Sequence, residues 1–352
     1  MRHGDRMNKS NGPNTCIVLL NMNTWKDTIE CLESIDGVHN KNYFIVIVDN
    51  ASTDDSIQHM LDWAHQKEML STTLLELDES GSNVRPVTPL RTNGEGWNER
   101  RTSLSIISSN QNLGFAGGCN IGIRYALKSY NPDYVLLLNN DTIVDPLFID
   151  TLIHPLAEDL RIGIAGSRIL DYANREVIQS AGMRIVWWLG EIRPAKRKMT
   201  QNGENHGYYE IDAASACSLL IRRDILEKSG LLDTSYFFYY EDVDLCVRTR
   251  RLGYSIVCAE ESKVWHKLSA TMKKNTGTRE YYSARSLFLF MRRHASKKQW
   301  ISFRIYFLSI RIWLTLAIIV LHHKEFRAVS AYLKGVKDGI REAGRLVNRQ
   351  QD

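Results

Sequence analysis

Short apolar runs that stop abruptly on polar side chains alternate along this chain with segments of helical spacing. Residues 16–20 read as a buried strand, and residues 25–35 place Trp25, Ile29, Leu32 and Ile35 on one helical face. Residues 43–48 form a second strand closed by Asp49 and Asn50, and residues 54–63 a second helix. After residues 104–107, another strand, comes a glycine-rich turn with a helix over 114–127. The apolar run 134–138 then ends on Asn139, Asn140 and Asp141, ahead of a helix over 145–157. Strand–helix alternation of this kind predicts an α/β fold with a Rossmann-like, mostly parallel sheet flanked by helices. Residues 71–101 break the rhythm with Gly, Ser, Asn, Pro and charge, and read as a surface insertion. The second half is more mixed, with strands and loops over 162–169, 177–188 and 208–221. A short helix over 225–230 stops on glycine, and a clear helix over 241–252 spaces Val243, Cys246, Val247 and Arg250 before Gly253. Residues 254–259 are the last expected strand, and from residue 278 onward the pattern is helical.

Composition narrows the class. A chain of 352 residues holds one large domain or two smaller ones. Its net charge of +5 is modest, and no basic stripe interleaved with aromatics precedes the C-terminal part, which argues against nucleic acid. Six cysteines stand at 16, 31, 119, 217, 246 and 258 without a Cys-x-x-Cys pair. That excludes a zinc ribbon or thioredoxin-like motif and fits reduced, buried, cytosolic thiols. Residues 1–14 are polar, lack an apolar core and read as a flexible N-terminus rather than a secretory signal.

Four clusters carry chemistry. Asp49, Asn50 and Ser52 follow the second strand; Asn112, Gly114 and Gly117 open a helix; Asn139, Asn140 and Asp141 end the central strand. Glu241, Asp242 and Asp244 begin a helix after four consecutive aromatics, Phe237 to Tyr240. Polar side chains at the ends of parallel strands sit where open α/β sheets bind ligands. A hard carboxylate there suits a divalent cation holding phosphate oxygens. Each cluster also has a structural reading: a helix N-cap at Ser52, close helix–sheet packing at the glycines, a turn at Asn139–Asp141, and a dipole complement at the acidic helix start.

The order of these clusters resembles the glycosyltransferase family 2 enzymes of GT-A fold, most of all the rhamnosyltransferase-like branch that builds bacterial surface polysaccharides. The likeness runs over residues 16–294 and rests on five segments: 48–54, 112–118, 138–142, 241–248 and 264–267. It implies a catalytic domain over 15–277 and a helical, membrane-associating C-terminal extension over 278–352. It also implies inverting transfer from a nucleotide-diphosphate sugar, dTDP-rhamnose or a UDP-hexose, with Mn²⁺ or Mg²⁺ as cofactor. Asp141 corresponds to the metal carboxylate of the family's Asp-x-Asp motif, with Asn139 at its first position, and His266 to a histidine that coordinates the same metal in relatives. Asp49 corresponds to the nucleotide-contacting carboxylate. Asn21, Asn23, Asn50, Ser52, Asn112, Gly114, Gly117 and Asn140 complete the implied donor site. Asp242 is the expected general base, with Glu241 as the alternative or as its orienting partner, while Asp244 and Arg248, one turn apart, read as a structural pair. Two departures stand out: Met22 where relatives often carry an aromatic, and Ala214-Ser215 in place of Thr-Gly before Ala216-Cys217.

Two other readings compete. A nucleotidyltransferase also uses a carboxylate–metal rim, but residues 21–26 offer only one lysine for a phosphate-binding loop. A non-catalytic sugar-nucleotide binding protein has no need of intact Asp141, Asp242 and His266. Near the C-terminus, residues 301–321 are the most hydrophobic stretch, interrupted by Arg304 and Arg311 and preceded by Arg292, Arg293, Lys297 and Lys298. The uninterrupted part is short for a span, and the basic flanks predict a helix lying in a membrane interface. The alternative is a helix packed on the catalytic domain or in a homodimer. An interfacial helix matches the polyprenyl-linked glycan acceptor that the resemblance implies, and places the protein in the cytoplasm, peripheral on the cytoplasmic face of the inner membrane.

Overall fold

The computed structural model describes residues 12–69, 71–78, 83–88, 103–195, 207–268, 277–323 and 326–348. Its centre is a twelve-stranded mixed sheet. The chain runs through β1 (Thr15–Asn21), α1 (Trp25–Asp36), β2 (Tyr43–Asn50), α2 (Ser56–Gln66), β3 (Ser71–Leu77), β4 (Val84–Thr88), β5 (Ser103–Ser109), α3 (Gly114–Ser129) and β6 (Tyr134–Asn139). In space the strands β3, β5, β2, β1 and β6 are parallel neighbours. The chain works outward from β1 and then crosses back to place β6 on its other side, which makes the β1 end a topological switch point.

Burial explains why these runs are strands. Along β1, Val18 faces one core with Val48 and Leu137, while Ile17 and Leu19 face the other with Ile45 and Leu136. Strand side chains alternate between faces, so a run apolar at every position belongs in a sheet covered on both sides.

The second half continues through β7 (Thr142–Val144), α4 (Phe148–Glu158), β8 (Ile162–Asp171), β9 (Ile178–Ser180), the hairpin β10 (Met183–Val186) and β11 (Glu191–Pro194), β12 (Tyr208–Ile211), β13 (Ser218–Arg222), α5 (Arg223–Ser229), α6 (Glu241–Arg251) and β14 (Ser255–His266). β13 joins antiparallel to β6, so the sheet turns mixed beyond the switch point. Three helices follow: α7 (Thr278–His294), α8 (Lys297–Leu321) and α9 (Phe326–Asn348).

Four expectations change. Residues 71–101 are not merely a surface insertion, because β3 pairs with β5 and β4 with β3 at the sheet edge; residues 89–102 lie outside the described residues. Residues 1–11 also lie outside them, but Asn14 is tied down: its N–H donates to Asp133 Oδ2 at 3.0 Å, and Asp133 N–H donates back to Asn14 Oδ1 at 2.6 Å. The last strand reaches His266 rather than stopping at 259, after a register shift between Ala259 and Lys263. Finally, α8 is one helix of 25 residues, long and apolar enough to cross a membrane. Within it, Phe307–Arg311 winds as a π-helix.

The expected boundary at residue 277 is no break in the core. Leu287, Phe290 and Met291 of α7 share a cluster with Tyr236, Val243 and Leu245 beside the sheet. α9 crosses α7 closely: a Cβ at Gly335 would lie 2.2 Å from the Tyr281 carbonyl oxygen, and one at Gly339 2.9 Å from that of Arg285. Arg285 is bidentate to Glu342 at 3.1 and 2.6 Å and also donates to Ser235 O at 3.0 Å.

Candidate active site

The C-terminal ends of β1, β2 and β6 meet in one hydrogen-bonded network. Asp49, buried at the end of β2, accepts from Asn21 Nδ2 at 2.7 Å, Ser52 Oγ at 2.6 Å and the Ser52 N–H at 3.0 Å. Asn21 Oδ1 in turn accepts from Thr28 Oγ1 at 2.8 Å, and Asn140 Nδ2 donates to Thr28 Oγ1 at 2.7 Å. Asn23, at φ 55°, donates its N–H to Ser52 Oγ at 2.9 Å and accepts from the Thr53 N–H at 2.7 Å. Asp49, Ser52, Asn21, Asn23 and Asn140 therefore stand on one rim.

Asn50 and Asn112 build the loop ahead of α3. Asn50 Nδ2 donates to Asn112 Oδ1 at 3.0 Å, and Asn50 Oδ1 accepts from the Leu113 N–H at 3.0 Å. Gly114 has φ +70°, and a Cβ there would lie 2.3 Å from Phe237 O; one at Gly117 would lie 2.8 Å from the Leu113 side chain. The close approach visible at these two glycines is to protein, Phe237 at Gly114 and Leu113 at Gly117. The loop is locked to the aromatic segment, since Phe115 N–H donates to Phe237 O at 2.9 Å.

Beside this network, β14 delivers His266 to the tail of β6. His266 Nε2 lies 3.2 Å from Asp141 Oδ1 and 3.4 Å from Asn139 Nδ2. Its Nδ1 faces Gln179 Oε1 at 3.2 Å. The amide orientation of Gln179 is fixed, because its Nε2 donates to Asp171 Oδ2 at 2.9 Å and to His266 O at 3.1 Å. Gln179 Oε1 therefore accepts, the proton of neutral His266 sits on Nδ1, and Nε2 turns a lone pair toward the Asp141 carboxylate. Two acceptors at this distance call for a cation or a proton between them. One carboxylate oxygen and one imidazole nitrogen, oriented by an outer amide, fit a divalent cation whose other ligands are diphosphate oxygens and water. No cluster of three or more His, Cys, Asp or Glu suited to a metal occurs among the described residues.

The second carboxylate comes from α6. The preceding turn carries Tyr239 and Tyr240 at φ 66° and 75°, swinging the chain sharply into the helix. Asp242 at the helix start accepts from the Ala216 N–H at 3.0 Å and the Val243 N–H at 2.8 Å. Burial pushes its carboxyl above the ordinary value, with the two backbone donors opposing. Glu241 is buried, its Oε2 has no hydrogen-bond partner, and burial followed by the charge of Asp242 holds its pKa well above 4.5. The two carboxyls differ in their partners: Asp242 is held by two backbone N–H groups, whereas Glu241 Oε2 meets none. Asp244 is structural: Arg248 Nε at 2.7 Å and His294 Nε2 at 2.7 Å grip it, and Arg248 also caps Leu231 O at 2.8 Å.

Cys217 joins the two halves. The Asn139 N–H donates to Cys217 O at 3.0 Å, the Ala216 N–H binds Asp242, and the charges of Asp141 and Asp242 both act on the Cys217 thiol. Burial first, and those charges next, raise that thiol well above 9.0, so it is not a thiolate nucleophile at neutral pH. Hydrogen bonds link Asp49 to Asn140 through Asn21 and Thr28, and the Asn139 end of β6 to Asp242 through residues 216–217. Sequence reasoning missed Thr28, Gln179 and Lys267. Lys267 ties β14 to α1 through Asp27 at 2.8 Å and Glu30 at 2.6 Å. Gln179 left no distinctive trace in the sequence, standing in the run Val177-Ile178-Gln179-Ser180.

A family model, glycosyltransferase like family 2, matches residues 101–285, slightly more than half the chain. The chain belongs to that family. Within glycosyltransferase family 2, it is 30% identical over 154 residues to the low-salt glycan biosynthesis hexosyltransferase Agl10 of Haloferax volcanii, covering 44% of this chain and 48% of that protein. It is 27% identical over 186 residues to an N-acetylglucosaminyl-diphospho-decaprenol L-rhamnosyltransferase of Mycobacterium tuberculosis, covering 48% and 60%. The chain thus spans about half the length of the hexosyltransferase it matches. Among solved structures, the mannosyltransferase PcManGT from Pyrobaculum calidifontis, in complex with GDP-Man and Mn²⁺, superposes with a TM-score of 0.54 at 12% identity, covering 98% of this chain and 83% of that one. GalNAc-T7 with UDP, GalNAc and Mn²⁺ gives 0.55 at 15%, covering 89% and 58%. These likenesses carry the GT-A fold.

Proposed function

We propose that this rim performs inverting, metal-dependent transfer of a sugar, rhamnose or a hexose, from a nucleotide-diphosphate sugar to a hydroxyl of a lipid-linked glycan. The observation that supports the reading is that the Asp141–His266 pair and Asp242 are both joined to residues 216–217 and both act on the Cys217 thiol. Asp49 has three of its roughly four acceptor sites taken, which leaves one for a base or ribose donor of the nucleotide. Asp141 and His266 would hold a divalent cation, Mn²⁺ or Mg²⁺, which when bound would neutralise the charge of the leaving diphosphate. Asp242 keeps both oxygens fixed by backbone N–H groups and takes the acceptor proton on a remaining lone pair. One base and no competent thiol nucleophile support single displacement, hence inversion.

We place the chain on the cytoplasmic face of a membrane, a reading whose membrane contact α8 supports. One side is tied to the β10–β11 hairpin, Ser302 Oγ to Trp188 O at 2.9 Å and Arg311 Nη1 to Gly190 O at 2.7 Å. The other side exposes Ile305, Leu308, Trp313, Leu314 and Leu321. A helix docked along its length with one bare apolar side lies on a bilayer rather than crossing it. The relative that acts on a diphospho-decaprenol acceptor supports the same placement.

The test is donor hydrolysis and Mn²⁺-dependent nucleotide binding over a panel of nucleotide sugars, comparing parent with Asp141→Ala. Turnover of one donor, lost in the variant together with metal-dependent binding, is expected. A parent that neither turns over nor binds any of the panel would overturn the proposal.

A further inference from the structure

Between the turn that precedes Asp242 and the apolar helix α8 lies a cavity of about 230 Å³. It is smaller than the roughly 300–1,000 Å³ that drug-sized ligands occupy, so it suits a compact head group rather than a nucleotide. Its charged lining is Arg279, Arg311 and Glu280, an excess of one positive charge. Tyr240 forms one wall and directly precedes Glu241 and Asp242. Ile318 and Ile319 form the opposite wall, and Ile318 belongs to the exposed apolar face of α8. A proton acceptor, an anion-friendly cavity and an apolar surface therefore follow one another in space.

Arg311 lines the cavity while also facing oxygens of its own chain, the Glu191 carboxylate among them. It is the one charged residue over 305–321, and it sits on the side of α8 that packs on the protein. It also ends the π-helical stretch Phe307–Arg311, a distortion that re-aims side chains and recurs at functional sites. From there it hydrogen-bonds the Tyr240 side chain and the Gly190 carbonyl. Two of its five donors are so used, and the guanidinium fork suits phosphate.

We propose that this cavity seats the phosphate groups of a lipid-linked acceptor, with Arg279 and Arg311 as the anion contacts. The lipid tail then leaves along the bare face of α8, and the glycan end reaches Asp242 past Tyr240. The inference rests on the glycosyltransferase reading above for its choice of lipid.

The experiment is vesicle flotation of the full chain on neutral phosphatidylcholine vesicles doped either with a polyprenyl diphosphate or with phosphatidylglycerol. Parent, Arg311→Gln and Arg279→Gln are compared, with melting temperature as the check on folding; Arg279 is exposed, so its variant keeps the fold. The expected result is tighter binding of the parent to the diphosphate vesicles than to phosphatidylglycerol vesicles. Each variant should lose about ten-fold or more of that binding, the share of one charge-assisted hydrogen bond, and keep its phosphatidylglycerol binding. Unchanged binding of Arg279→Gln to the diphosphate vesicles overturns the proposal. So does an equal loss on both vesicles, which would make the arginines general membrane anchors. The assay contains no nucleotide sugar, so arginine-dependent diphosphate binding by a chain without transferase activity would sink the catalytic reading and leave this one standing.

Discussion

Replacing Asp242 by Asn separates catalysis from donor binding. In the parent, Oδ1 accepts from the Val243 N–H at 2.8 Å and Oδ2 from the Ala216 N–H at 3.0 Å. A carboxylate offers about four lone-pair sites, so two remain for an acceptor proton. An Asn amide must turn its NH₂ toward one of those two backbone donors. That loses one hydrogen bond and costs about 1–3 kcal/mol of stability, a modest fraction of a domain's margin, so the variant folds. Its rate falls further, because removing a general base costs about 10²- to 10⁴-fold. Donor affinity stays nearly constant, since the base acts on the acceptor. The assay is kcat for transfer beside the Kd of the nucleotide sugar by calorimetry. A Kd that weakens as steeply as kcat falls would move Asp242 into the donor or metal site and refute the reasoning. The pH profile adds a second check. Burial raises the Asp242 carboxyl above 3.8, so the acid limb of kcat/KM should lie above that value in the parent and vanish in the variant.

Two further outcomes are expected. Glu241→Gln should stabilise the protein increasingly toward alkaline pH. The folded-state pKa of Glu241 is raised above 4.5, so the stability carried by its proton is full below that value and is lost as pH rises through the raised one. Thermal melts across pH measure this, and a difference between variant and parent that does not change with pH would show a freely ionising Glu241. Gly335→Ala should lower the melting temperature, although the same change in an open helix gains up to about 1 kcal/mol. The new Cβ would meet the Tyr281 carbonyl at 2.2 Å, so a variant that melts at or above the parent temperature contradicts the tight crossing.

Much of the site was legible because parallel strands announce their ends. Asp49 and Asn139–Asp141 each follow a run apolar at every position, and such a run is explained only by burial on both faces. Asp242 was legible as an acid at a helix start. What stayed hidden depends on pairing rather than on local pattern. β3 and β4 lie in a polar, glycine-bearing segment, and only the neighbouring β5 makes Ser71–Leu77 a strand. The reach of β14 to His266 passes through a register shift that interrupts the alternation. The protonation of Glu241 is a property of its surroundings and has no trace in the residue type. Gly114 and Gly117 report a close approach in the sequence without naming what approaches, and Phe237 and Leu113 became visible there only in the fold.

The crossing of α9 over α7 changes how the molecule can be handled. Arg285 reaches from that crossing to the Ser235 carbonyl, and Ser286 next to it donates to Phe238 O at 3.0 Å, five residues and four residues ahead of the Tyr240 and Asp242 positions respectively. The tail is thus a buttress for the catalytic turn. Trimming the polypeptide behind His294 to obtain a soluble fragment would leave Arg285 and Ser286 in place but remove Glu342 and the helix that clamps them, along with the greasy helix, so a dead fragment would say nothing about lipid. Engineering for solubility should repaint the outer face of α8 and leave the last helix whole.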